Sequence, residues 1–172
     1  PELAETVKRI PGVAELTTLR QIDIMDANGV GVRLVGIDPP AYERIGGLSF
    51  VEGDESAYPQ MAGGQAVIVN GRFASQFGTQ VGDSLTLEGD HGAFKVQVVA
   101  IGLDYVNIKL PTVYLEQTTL TREYGVRNDV FLMINGKPGA GLEQLEDDLQ
   151  AAALAYPGFG IISKQQLRAS QE

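Results

Sequence analysis

Two stretches of apolar alternation, each folded about a short glycine-bearing turn, commit this chain to antiparallel β-structure. Leu19 to Asp26 and Val30 to Ile37 flank Ala27-Asn28-Gly29. A three-residue loop ending in glycine sets Ile22 opposite Leu34 and Ile24 opposite Val32, whereas a two-residue loop would set Ile24 against Arg33, so the longer loop is preferred. The second hairpin turns at Gly89-Asp90-His91-Gly92 and pairs Leu87 with Phe94 and Leu85 with Val96, again on one apolar face.

Helical periodicity lies between and around these hairpins. Glu2 to Ile10 places Leu3, Val7 and Ile10 on one face and stops at Pro11-Gly12. Ala66 to Val69 reads as a short buried strand, followed by a helical turn over Gly71 to Phe77. Asp38 to Gly64, rich in proline and glycine, reads as a long connection with one helical turn at Ala41 to Ile45. Thr112 to Glu116 is a strand, Gln117 to Tyr124 a helical turn, and Val130 to Ile134 a strand buried on both sides. The strongest helix carries Leu142, Leu145, Leu149, Ala152 and Tyr156 at spacings of three and four, with acidic residues opposite, and ends at Pro157-Gly158. Ile161-Ile162 then completes a β-α-β unit, and Lys164 to Glu172 is a polar tail.

The reading is α+β. The chain ends, 1–50 and 110–165, supply one α/β lobe, and 65–103 supplies an inserted β-rich lobe, with 51–64 and 104–109 as connections. Val7, Ile22, Leu34, Phe131, Met133, Leu145 and Leu149 are expected in one core, and Leu85, Leu87, Phe94 and Val96 in the insert.

Charge narrows the partners. Among 172 residues, 22 are acidic and 13 basic, a net charge of −9, which repels nucleic acid over most of the surface. Cysteine is absent, so the chain has neither disulfides nor thiolate metal ligands. No run of 18 apolar residues occurs. The chain opens on Pro1 with a helix already under way, as a piece excised from between membrane spans would.

Catalytic chemistry finds little footing. The single histidine, His91, sits in a hairpin turn beside Asp90, and Ser84 on the same hairpin is a poor partner for it. Glu143 to Asp148 occupies the polar side of a helix. Glu52-Gly53-Asp54-Glu55 is loop-mounted but lacks the ligand spacing of a calcium loop. No phosphate-binding glycine pattern is present, and Tyr42, Tyr58, Tyr105, Tyr114, Tyr124 and Tyr156 lack the basic surround of a base-stacking platform. No catalytic, cofactor-binding or metal-binding residue is assigned.

Three stretches together resemble the periplasmic core domain of MacB/FtsX-type ABC-transporter permeases. Val7 to Leu16 is similar to that family's first helix and its Pro-Gly-Val step. Val35-Gly36-Ile37-Asp38-Pro39, with Tyr42, Phe50 and Gly53 behind it, resembles a second. Ala66 to Leu87, containing Ala74, Phe77 and Val81-Gly82-Asp83, resembles the third and is followed by Phe94 to Gly102. The resemblance implies a porter-like lobe with an inserted sabre-like lobe on the extracytoplasmic side of a bacterial membrane. It implies membrane helices outside both chain ends, with residues 166–172 leading toward one. It further implies an ATP-binding subunit or domain in the cytoplasm, a permease dimer, an extracytoplasmic protein partner and a coupling role without catalysis. A secreted ligand-sensing or carbohydrate-binding module, or a hydrolase, is the alternative reading; segment 38–64 would close over the ligand in a sensor.

Overall fold

The computed structural model describes residues 2–26, 28–104, 107–157 and 160–161. Helix α1 (Glu2–Lys8) leads into the 13-residue strand β1 (Val13–Met25), which returns as β2 (Gly31–Ile37). Then follow α2 (Pro39–Ile45), β3 (Ser49–Glu52), α3 (Ala57–Gln60), β4 (Ala66–Asn70) and α4 (Gly71–Phe77). The hairpin β5 (Ser84–Gly89) and β6 (Gly92–Leu103) precedes β7 (Thr112–Glu116), α5 (Gln117–Tyr124), β8 (Asp129–Gly136) and α6 (Leu142–Ala153). All strands join one eight-stranded mixed sheet in the order β3-β6-β4-β7-β2-β1-β8, with β5 paired to β6. The β2–β7 and β4–β6 pairs are parallel.

Alternation along central strands feeds two cores, because successive side chains point to opposite faces. On one face Leu34, Val69, Val96, Val113 and Leu115 pack with Phe73 of α4 and Leu120 of α5. On the other, Val35, Ile37, Ile68, Ala100 and Tyr114 pack with Tyr42 of α2 and Tyr58 of α3. A third cluster joins Leu3 and Val7 of α1 to Leu145 and Leu149 of α6. Every residue of β4 is buried, as a strand covered on both faces requires. Gly36 admits α5 closely: a Cβ there would lie 2.9 Å from Leu120 Cδ2 and 3.2 Å from Gln117 Cα. Gly82, at φ +97°, makes the turn in which its N–H donates to Val98 O at 2.8 Å and the Asp83 carboxylate accepts from Gln80 N at 2.9 Å.

Both hairpin registers appear as the alternation requires, with Ile22 facing Leu34 and Ile24 facing Val32, and with Leu87 facing Phe94 and Leu85 facing Val96. Elsewhere the structure corrects the expectations. Strand β1 begins six residues before Leu19, because its first half pairs with the sequence-distant β8. The seven expected core residues divide: Ile22 and Leu34 pack with the hairpin residues Leu85, Leu87, Phe94 and Val96, and Met133 packs on the opposite face. Val7, Leu145 and Leu149 fall in the third cluster, while Phe131 is 47% exposed. Strands adjacent in one continuous sheet share a face whatever their sequence origin, and the edge strand β8 has no fully buried residue, so it is not buried on both sides. Leu142 is exposed at the start of α6. Segment 38–64 holds α2, β3 and α3, with Tyr42, Ala57, Tyr58 and Met61 buried, and so forms part of the core. Ile161 packs against the third cluster without strand structure; Ile162 and residues 164–172 lie outside the described residues.

Candidate functional site

Among the described residues, the buried polar side chains Asn70, Asp104, Asn107 and Thr112 gather where β4 ends and β7 begins. Asn70 terminates β4, N-caps α4, and is 1% exposed. Its Oδ1 accepts from Phe73 N at 2.9 Å and from Thr112 N at 3.0 Å, while Nδ2 donates to Asn107 O at 3.2 Å and to Leu110 O at 2.9 Å. One amide thus uses its two donors and both acceptor positions, the full capacity of the side chain.

The network continues on the α2 face. Asn107 donates from its backbone to Asp104 Oδ1 at 3.1 Å and from Nδ2 to Asp104 Oδ2 at 2.8 Å, and the Tyr114 hydroxyl donates to the same carboxylate. Arg33 Nη1 donates to Asn107 Oδ1 at 2.9 Å, and its Nε and Nη2 grip Asp23 at 2.8 and 3.0 Å. That bidentate hydrogen bond holds the Asp23 carboxyl below its ordinary range and raises the Arg33 guanidinium. Burial, with Tyr42 and Asp104 close by, pushes the Tyr114 phenol far up, so it stays protonated as a donor. Burial likewise raises Tyr42 and Tyr58, whose rings stand 6.1 Å apart. These hydrogen bonds hold backbone in place: Asn70 fixes the start of β7 and the connection that carries Asn107 and Leu110.

The residues weighed in the sequence lie elsewhere. His91 is exposed at the tip of the β5–β6 hairpin, and Ser84 is exposed at the far end of β5 from it. The tip is not free of the body, since Asp90 N donates to Glu123 O at 2.7 Å. Glu143 and Asp147 face solvent on α6, and Asp148 accepts from Gln144 at 3.0 Å. Asp54 caps its own turn by accepting from Ser56 N at 2.9 Å; hydrogen bonding from the Ser56 side chain and then its backbone lowers the Asp54 carboxyl, and Glu52 and Glu55 are exposed. Among the described residues no group of three or more His, Cys, Asp or Glu could hold a metal ion. Tyr42, Tyr58, Tyr114 and Tyr124 are buried, Tyr156 is half-buried, and Tyr105 lies outside the described residues. A groove of about 290 Å³ between the start of β1 and α2 is bridged by Arg44 Nε and Glu15 Oε1 at 2.8 Å. Sequence reading did not single out Asn70, Asp104 or Asn107. The available signal was Asn70-Gly71 before a helical turn, an N-cap pattern.

The first and last described helices meet. α1 and α6 share the third apolar cluster, and Thr6 Oγ1 lies 3.4 Å from Tyr156 Oη. No helix among the described residues is long and apolar enough to cross a membrane.

A family model described as the MacB-like periplasmic core domain matches residues 1–152. The chain belongs to this family. No curated protein matches it in sequence. Among solved structures it is similar to the extracellular domain of the noncanonical ABC-type transporter YknZ from Gram-positive bacteria. There the TM-score is 0.62 at 16% identity, covering 90% of this chain and 80% of that one. The periplasmic region of MacB from Actinobacillus actinomycetemcomitans gives 0.61 at 13% identity, covering 98% and 80%. A domain of a putative permease from Porphyromonas gingivalis gives 0.52 at 16% identity, covering 89% and 69%. At these identities the likeness is one of fold, a mixed α+β architecture, and the MacB-like family resemblance read from the sequence stands. The chain is therefore a MacB-like periplasmic domain of the kind found in ABC-transporter permeases.

Proposed function

We propose that this MacB-like domain couples ATP hydrolysis in the cytoplasm to movement outside the membrane, and that it does so without catalysis. In this reading membrane helices lie outside both chain ends, an ATP-binding subunit or domain drives them, and two permeases act as a pair. An extracytoplasmic protein is handled on the far surface. The chain-end lobe takes up the motion, and the lobe of residues 65–103 carries it outward.

The observation that carries the reading is the packing of α1 against α6 in one apolar cluster, with Thr6 and Tyr156 side by side. Two segments joined by such a core move together, so force entering through either is delivered to β1 and β8. The polar cluster around Asn70 adds support, because its groups are spent on holding strands in register.

The test is a flexible Gly/Ser insertion between residue 172 and the following membrane helix of the full permease, which leaves the domain intact and slackens the link. ATP hydrolysis should continue while transport fails, and partner binding by the isolated domain should persist. Transport at the wild-type rate would sink the coupling role in favour of a passive binding platform.

A further inference from the structure

Among the described strands, the shortest ladder lies in the interior of the sheet, while the edge pair β3–β6 keeps three residues a side. β1 and β2 pair through six residues a side, β2 and β7 through five, and β4 and β6 through five. β4 and β7 pair through only two, Ile68 with Tyr114 and Val69 with Val113. On one side of this seam lie β3, β4, β5 and β6, and on the other β1, β2, β7 and β8. Where the next rung would come, a side chain stands in: Thr112 N donates to Asn70 Oδ1 rather than to a β4 carbonyl. The same amide holds Asn107 O and Leu110 O of the connection that crosses the seam. Apolar packing spans the seam on both faces, but such contacts are non-directional and tolerate sliding. Backbone pairing resists sliding, and here it is at its shortest.

We propose that the β4–β7 seam is a shear joint latched by Asn70, across which the half carrying β3 to β6 shifts against the half carrying β1, β2, β7 and β8 during transport. The use in transport rests on the coupling role proposed above; the joint itself does not. Shear of packed elements by small displacements is a known form of conformational change, and it needs a boundary with few directional bonds.

Two measurements test it. In native-state hydrogen exchange of this chain under increasing denaturant, the Thr112 amide and the amides joining β4 to β7 should exchange through a sub-global opening with weak denaturant dependence. The β1–β2 amides should exchange only with global unfolding. Seam amides that merge with the global transition overturn the joint. In the full permease, Val69→Cys with Val113→Cys locks the seam on oxidation, in a domain that has no cysteine of its own. Transport should be lost on oxidation and return on reduction, the reduced protein serving as the folding control. Ile22→Cys with Leu34→Cys, within one half, should leave transport unchanged on oxidation. A locked permease that transports as well as this control overturns the proposal. If that permease still fails when its membrane linker is slackened, the coupling role survives without the joint.

Discussion

Replacing Asn70 by alanine removes four hydrogen bonds from a site that is 1% exposed, and the loss can be worked bond by bond. Losing the N-cap acceptor of α4 costs about 1 kcal/mol. The Thr112 N–H, at a fully buried residue, is left without its acceptor, which costs about 1 to 3 kcal/mol. The carbonyl of Leu110 keeps the Thr112 hydroxyl at 2.9 Å, so the acceptor side adds less. Together Asn70→Ala should destabilise the domain by about 2 to 4 kcal/mol, read as a lower urea midpoint with an unchanged m-value. Asn70→Asp keeps Oδ1 for Phe73 and Thr112 but turns its second oxygen toward the carbonyls of Asn107 and Leu110. Those carbonyls and burial raise the folded-state pKa of the new carboxyl above its unfolded value of about 3.9, so the folded state favours the protonated acid. The deficit of Asn70→Asp at neutral pH should therefore shrink as pH falls through that raised pKa. A loss below about 1 kcal/mol in Asn70→Ala would show that water replaces the amide and that the clamp argument is wrong.

Other consequences are as concrete. Leu120→Ala, at a fully buried residue between α5 and β2, should cost about 2 to 5 kcal/mol in chemical denaturation, whereas Phe131→Ala, at the exposed edge, should cost clearly less. His91→Ala and Asp90→Ala should each stay within about 0.5 kcal/mol of wild type, because the tip is held by the Asp90 backbone; a loss above about 1 kcal/mol in thermal melts would contradict this. The Tyr124 phenol, buried beside Glu123, Asp90 and Glu88, is pushed up to about 12, and Tyr42, Tyr58 and Tyr114 are raised as well. Between about pH 10 and pH 12 the unfolded chain loses phenolic protons that the folded chain keeps, so stability must fall as pH rises there. In a Tyr105→Phe, Tyr156→Phe background, phenolate absorbance from these four rings should appear together with loss of ellipticity, and phenolate formation among them in a still-folded chain below about pH 11 would refute the burial argument.

What the sequence made legible was whatever short-range pattern determines. The hairpin registers at Ile22–Leu34 and Leu87–Phe94 follow from alternation and turn length, and both are present. The helix around Leu145 and Leu149 follows from spacing in the same way. Segment 38–64 misled because its buried residues, Tyr42, Tyr58 and Met61, serve one face of a sheet built mostly from other segments, so no local period announces them. The first half of β1 was missed for a related reason, since its partner β8 lies more than a hundred residues away. Asn70 shows the limit most sharply. Asn-Gly before a helical turn predicts an N-cap, and the Phe73 N–H confirms one. Nothing near residue 70 says that the same oxygen also receives Thr112 N, or that its nitrogen holds Asn107 and Leu110. Those partners exist only because β4 and β7, 42 residues apart, are laid side by side with a ladder two residues long. A polar side chain that substitutes for backbone pairing belongs where a sheet stops pairing. The residue that looked like ordinary helix punctuation therefore marks the place where the sheet is held together by side chain instead of ladder.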